Sequence, residues 1–283
     1  MRAMRIHRYG DPSVIQDDDV PEPEPGPGEV LIRVAGTSFN PSDLGVRRGL
    51  LSDVLPIELP CTLGGEVAGT VVGTGDRVIG RVTGAAADYV VAPAGSLVAA
   101  PATMPLAHTA AVPIAGLTAW QAVFEHAEVK PGQRVLINGA GGGVGGFAVQ
   151  LAKHAGAYVI ATASPRSAEA VRGQGADEVV DYRSTPLPGG ADAVLNLVDI
   201  GPAQVAELLS KVRPGGVLVS VTVPVGVHFV ARDDPGQLAE LVALIDAGVV
   251  RVDIAGSRPL TELAAVHRDA EAGRLRGKTI LTP

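Results

Sequence analysis

Residues 137–146 read INGAGGGVGG, six glycines and an alanine in ten positions near the middle of a 283-residue chain. A glycine-dense backbone forfeits order on folding, so such a run marks a place where another group comes very close to the main chain. The run follows VLI (Val135–Ile137), which reads as a buried parallel strand. It opens a helix expected from about Gly143 to Ala155 and closed by Gly156. Strand, glycine turn and helix in that order lift the motif above a chance match and point to a dinucleotide. Aligned as A-x-G-x-x-G, its marks are Ala140, Gly142 and Gly145. Ala140 is expected to make the tight turn, Gly142 to let the backbone approach a pyrophosphate, and Gly145 to let the helix sit close to its strand. The first N–H groups of the helix, with Gly143 and Val144, then face the anion.

Outward from this turn, strands and helices alternate from Pro113 onward. YVIATA reads as strand two, a helix runs to Gln174 before Gly175, and EVVDY is strand three. DAVLNLV, a helix from Ala203 to Val212 and GVLVSV continue the rhythm. Repeats of this length predict an α/β fold with a doubly wound parallel sheet. The first part is β-rich instead: Met4–His7, EVLIRVAG, EVAGTVVG and ADYVVAP are short runs separated by Gly, Asp and Pro. PEPEPGPG (Pro21–Gly28) is a stiff connector that cannot join a sheet interior. In the tail, Asp234 is expected to cap a helix with Pro235 at its first position, and Thr261 to cap a second. KTILTP closes as a strand, and the tail is read as returning to the first part. The expected domains are residues 1–115 with 232–283, and residues 116–231.

An NAD site usually carries Asp or Glu about 20 residues beyond the turn, at the end of strand two. Here that end reads ATASPRS (Ala161–Ser167) and holds no acid. Ser164 offers a hydroxyl and Arg166 a planar cation suited to a phosphate, which favours NADP(H), the alternative being Arg166 as a solvated residue at a helix start. Tyr182, just past strand three, would cover the adenine or stand as a half-buried edge aromatic.

Composition narrows the classes. Hydrophobic residues make up 46% and charged residues 19%, as in an ordinary globular protein. A net charge of −7 without clustered Lys and Arg argues against nucleic acid. No apolar run approaches a membrane span, and the opening MRAMRIHRYGDPS lacks the features of a signal peptide, so a cytoplasmic location is expected. Cys61 is the single cysteine, read as a small buried hydrophobe.

AAVPIAGLTAWQAV (Ala110–Val123) followed by GQRVLINGAGGGVGGFAVQLAK (Gly132–Lys153) resembles the quinone oxidoreductase/zeta-crystallin branch of the medium-chain dehydrogenase/reductases. GEVLIRV and FNPSD early, VRPGGVLVSV late and RGKTIL at the end extend the resemblance over nearly the whole chain. It implies a GroES-like catalytic domain, a Rossmann NADP-binding domain and a cofactor in the cleft between them, with Thr118 among the cofactor-binding residues. It also implies a homodimer. Zinc-dependent relatives place a Cys where this sequence has Asn40 and a His where it has Gly65, and the four-cysteine zinc loop is missing. Neither Asn nor Gly suits a catalytic zinc, so no metal is expected.

Direct hydride transfer from NADPH to a quinone or activated enone is the expected chemistry, with a small molecule as the only partner besides a second copy. The catalytic candidates are Asn40 and Asp43, in the motif that the resemblance places in the cleft. Asn40 would touch nicotinamide or substrate, or form an Asx turn ahead of Pro41. Asp43 would act beside it or fix the loop. Arg47 and Arg48 would donate to a substrate oxygen or face water. Bacterial members often carry a Tyr where Gly45 stands, and VVGTGDRV (Val71–Val78) is shorter than the usual loop, so the substrate side is expected to be widened or remodelled. The alternatives are an enoyl reductase acting on a thioester or polyketide intermediate, and an NADPH-binding sensor with little turnover.

Overall fold

The computed structural model describes residues 1–52 and 57–283. In the segment around the glycine turn, strand and helix alternate: Arg134–Asn138 (β1), Gly143–His154 (α1), Tyr158–Thr162 (β2), Ala168–Gly173 (α2), Glu178–Val180 (β3), Ala191–Asn196 (β4), Pro202–Lys211 (α3), Val212–Ser220 (β5) and Val227–His228 (β6). The strands are parallel and lie in the order β3-β2-β1-β4-β5-β6. That order reverses direction between β1 and β4, which is where open α/β sheets bind ligands, beyond the carboxyl ends of the strands. Val135, Leu136 and Ile137 are fully buried, as expected of a central strand covered on both faces.

The turn after β1 owes its shape to two glycines. Gly139 has φ 93, a left-handed conformation that an L side chain rarely adopts. A Cβ on Gly145 would lie 2.4 Å from the Gly139 oxygen and 2.5 Å from the Ala140 Cα, so only glycine lets α1 start this close to the strand. The tight turn therefore belongs to Gly139 and not to Ala140, which is buried beneath it.

Two compact units emerge: Met1–Ile114 with Asp233–Asp246 and Ile254–Pro283, and Ala115–Arg232 with Ala247–Asp253. Residues 247–253 thus leave the rest of the tail. The Gln150 side chain on α1 donates to the Arg251 oxygen at 2.8 Å and accepts from the Arg251 N–H at 2.7 Å, which docks that segment on the second unit.

In the first unit one sheet runs in the order Ile254–Pro259, Lys278–Thr282, Glu29–Ser38, Glu66–Val71, Arg77–Arg81 and Val98–Ala99, with Tyr89–Pro93 also on Glu29–Ser38. Lys278–Thr282 pairs antiparallel with Glu29–Ser38, so the tail does complete the first unit's sheet. Arg2–Ile6 lies between Ile15–Asp19 and Cys61–Thr62 in a smaller sheet. IQDDD and IAGSRP have little strand character of their own, and it is pairing with a neighbour that makes them strands. Asp234 caps its helix, accepting from the Gln237 N–H at 3.0 Å. Thr261 is not a cap. It sits inside a short 3-10 turn, Leu260–Glu262, that buries Leu260, and the helix Leu263–Glu271 starts after it. Cys61 is half-buried against the Met4, Ile6 and Leu63 core, and burial pushes its thiol up. Among the described residues no helix is long and apolar enough to cross a membrane.

Candidate functional site

Ala140, Gly142, Gly143, Val144 and Gly145 lie in one turn and helix start at the carboxyl end of β1. Gly142 is exposed, and a Cβ on it would meet nothing closer than the Gly139 oxygen at 3.4 Å. The first N–H groups of α1, a 12-residue helix, have no intrahelical partners, which suits them to an anion. Ser164 and Arg166 lie just past the end of the neighbouring β2, the first half-buried and the second exposed. Tyr182, past β3, is 51% exposed with the Arg183 guanidinium 5.7 Å from its ring, so it is not a half-buried edge residue. Thr118 sits half-buried on a separate helix, Pro113–Trp120. Ser167 completes the group. It is buried at the end of the ATASPRS turn, and a Cβ on Gly141 would come within 2.4 Å of its hydroxyl oxygen. The sequence alone does not single out Ser167, because nothing local shows that α2 brings it back onto the glycine turn.

In the first unit, Asn40 stands at the centre of a buried polar cluster. Glu66 is completely buried, and its carboxylate faces four donors. Oε1 accepts from the Ser38 hydroxyl, from Asn40 Nδ2 at 2.6 Å and from Lys278 Nζ at 3.1 Å, while Oε2 accepts from the Ile114 N–H at 2.7 Å. Lys278 also donates to Asn40 Oδ1 at 2.7 Å and to the Phe39 oxygen at 3.3 Å. An ammonium only donates and a carboxylate only accepts, so the two charges fix which way the Asn40 amide points. Asn40 Nδ2 donates its second hydrogen to the Ser38 oxygen at 3.3 Å, which leaves the side chain no unused donor. Asn40 Oδ1 faces the Lys278 ammonium, and the Asp43 N–H bonds the Asn40 backbone oxygen at 2.9 Å. Asp43 instead accepts from the Asn40 N–H at 2.7 Å and so holds the turn. Burial pushes the Asp43 carboxyl up to about 7; the Glu66 charge adds to this, and the Asn40 N–H and the Lys278 charge oppose it.

Arg47 neither faces water nor reaches a substrate oxygen. It is fully buried, donates through Nε to His267 Nδ1 at 3.1 Å and pairs with Glu271 and the Gly10 oxygen. Arg48 pairs with the same Glu271 at 2.7 Å. Both arginines tie the helix Pro41–Arg48, which starts at Asn40, to the helix Leu263–Glu271. Burial, followed by the Arg47 charge, holds His267 down to about 4. The missing side chain at Gly45 does not open a gap, since a Cβ there would lie 2.9 Å from Leu51 Cγ. Leu51 fills the space at this point.

Residues 26–102 match the alcohol dehydrogenase GroES-like domain family and residues 174–281 match the zinc-binding dehydrogenase family. The chain is 30% identical to the chloroplast envelope quinone oxidoreductase homolog of Arabidopsis thaliana, covering all of this chain and 98% of that protein. It is 34% identical to part of the pikromycin polyketide synthase component PikAII of Streptomyces venezuelae, over 94% of this chain and 8% of that protein. Two solved structures are similar over its full length. The quinone oxidoreductase of Coxiella burnetii has a TM-score of 0.91 at 29% identity and is covered to 99%. The Escherichia coli quinone oxidoreductase, solved with NADPH, has a TM-score of 0.87 at 26% identity and is covered completely. A zinc ion, which the second family description implies, does not fit here. The Asn40 amide is held between Glu66 and Lys278, Gly65 has no side chain, and an ammonium stands 2.7 Å from Asn40 Oδ1. Among the described residues no group of three His, Cys, Asp or Glu side chains could hold a metal ion.

Lys278→Met would leave the Glu66 carboxylate buried without its counter-ion. The expected loss of stability is about 3–5 kcal/mol in chemical denaturation, and a loss below ~1 kcal/mol would contradict the ion-pair assignment. Asp43 gives a pH signature. Its native carboxyl, at about 7, holds a proton that an unfolded carboxyl near 3.8 has released, so its contribution is full below about 3.8 and is lost as pH rises to about 7. Asp43→Asn keeps an oxygen for the Asn40 N–H and should remove that downward slope from denaturant midpoints measured across the window. His267 works in the opposite sense, losing stability as pH falls from 6.5 towards about 4, so the comparison with the variant is what isolates Asp43.

Proposed function

The chain belongs to the medium-chain dehydrogenase/reductase superfamily, in its zinc-free quinone oxidoreductase-like branch, and from that premise we propose a zinc-independent, NADPH-dependent oxidoreductase that delivers hydride to a quinone or an activated enone. The observation that carries the cofactor reading is the acid-free end of β2, with Ser164 and the exposed Arg166 beside the glycine turn. Arg166 and Ser164 would bind the 2′-phosphate of the adenine ribose, with Tyr182 against the adenine. Gly142 gives the pyrophosphate room, and the N–H groups of Gly143 and Val144 face it. Bound nicotinamide supplies a hydride from its C4 carbon, and the protein supplies placement and electrostatics.

The polar cluster around Asn40 has a defined part in this. Asn40 offers one acceptor position and no donor, so it positions its neighbours and does not stabilise a developing oxyanion. Asp43 fixes the turn that carries Asn40. The Lys278 ammonium stands beside the position where zinc-dependent relatives place a ligand. A homodimer is consistent with β6, an edge strand with Val227 exposed, as a place for a second copy to pair. A second reading, an enoyl reductase on a thioester or polyketide intermediate, is supported by the similarity to PikAII over 94% of this chain.

NADPH oxidation against a panel of quinones, enones and enoyl thioesters tests the reading. Turnover of quinones or simple enones, retained after dialysis against a chelator, is the expected result. Turnover confined to enoyl thioesters would favour the second reading, turnover of nothing would favour a sensor, and activity lost on dialysis and restored by zinc would overturn the metal-free chemistry. NADPH should bind more tightly than NADH, and Arg166→Ala should cut that preference by about 1.5–3 kcal/mol, the scale of a charged hydrogen bond. Equal affinities for the two cofactors in the wild type would remove the phosphate-site reading.

A further inference from the structure

The parallel sheet ends in a row of polar side chains that its core does not need. In register across β2, β1, β4 and β5, one row reads Ile160, Leu136, Val194 and Leu218. Two residues later, on the same face, the row reads Thr162, Asn138, Asn196 and Ser220. Asn196 and Ser220 are completely buried and Thr162 is 2% exposed. Buried amides and hydroxyls confer no advantage over aliphatic side chains of similar size unless they are fully paired, and here they are paired in one continuous chain.

The chain has a single direction. The Gly139 N–H donates to Thr162 Oγ1 at 2.9 Å, and the Thr162 hydroxyl donates to Asn138 Oδ1 at 3.0 Å. Asn138 Nδ2 donates to Asn196 Oδ1 at 2.9 Å. Asn196 Nδ2 then reaches the Val198 oxygen at 3.0 Å, Thr222 Oγ1 at 3.1 Å and Ser220 Oγ at 3.3 Å, and the Thr222 hydroxyl donates to the same Val198 oxygen at 2.7 Å. One end is therefore the backbone of the glycine turn, and the other is the backbone of the loop after β4. These ends meet again through packing, because a Cβ on Gly139 would lie 2.5 Å from Val198 Cγ1. The loop leans its Val198 side chain, 37% exposed, directly over the first glycine of the turn.

We propose that Thr162, Asn138, Asn196 and Thr222 are positioning residues that set the height of the Val198 loop over the glycine turn and so govern how tightly the dinucleotide is held. The proposal rests on the reading of that turn as the cofactor site. An aliphatic row would let the turn and the loop move independently, since dispersion contacts have no preferred direction and a chain of hydrogen bonds does.

Thr162→Val removes the hydroxyl at nearly constant shape. NADPH binding, followed by fluorescence, should weaken about tenfold, the factor that the loss of one hydrogen bond gives, and Thr162→Ser should restore it to within about twofold. In the unliganded protein the Gly139 amide should exchange with deuterium about tenfold faster in Thr162→Val and at the wild-type rate in Thr162→Ser. A role in fold stability alone would lower the melting temperature without this split. Thr222→Val, at the exposed end of the chain, keeps the test open if the buried variant fails to fold, and should weaken NADPH binding with an unchanged circular dichroism spectrum. Valine variants that bind NADPH as the wild type does overturn the positioning role and leave the cofactor site standing. A wild type that binds neither NADPH nor NADH overturns the site and this proposal with it.

Discussion

The carboxylate of Glu66, completely out of water, is the constraint around which the first unit is organised. An isolated buried carboxylate is costly by many kcal/mol, so a structure that keeps one must bring donors to it. Here four donors come from three separate places in the chain: Ser38 and Asn40 where a strand gives way to a helix, the Ile114 backbone and Lys278 from the tail. Satisfying one carboxylate thus joins the end of the chain to its beginning. It also explains why the tail returns to the first unit's sheet, where Lys278–Thr282 pairs beside Glu29–Ser38.

The same cluster shows how the metal-free branch differs from its zinc-dependent relatives in physical terms. A zinc site needs side chains with free lone pairs aimed at one point. Asn40 has its amide engaged on both sides, and the nearest charge to its oxygen is an ammonium. What remains is a fixed, neutralised polar centre. Arg47, Arg48 and Glu271 brace the helix that starts there.

In the second unit the governing constraint is the backbone approach at Gly145, where a Cβ would lie 2.4 Å from a carbonyl oxygen. This was legible in the sequence, because glycines at that spacing between an aliphatic strand and a helix mark a close backbone approach. The parallel sheet was legible for a similar reason: alternating aliphatic runs and helix-length segments admit few arrangements. The cap at Asp234 was visible from its residue type and its proline. The false cap at Thr261 had the residue type without the proline, and it lies in the 3-10 turn that buries Leu260 ahead of the helix. The strands IQDDD and IAGSRP carried no signal, since their strand character comes from their partners.

The fold class, the position of the glycine turn and the lack of an acid after strand two are legible from residue types at short spacing, while Asn40 and Gly65 gain meaning only beside the zinc-dependent relatives they resemble. Which polar side chains are buried, and what they face, is set by how distant segments pack. Arg47, expected to meet a substrate oxygen or water, is sealed inside, Asn40, expected to touch nicotinamide or substrate or to form an Asx turn, has no donor left, and Thr162, Asn138, Asn196 and Ser220 lie far apart in sequence yet form one row. Hydrogen bonds act over about 3 Å and take no account of separation along the chain, so their partners are set by how strands stack, which no local pattern records.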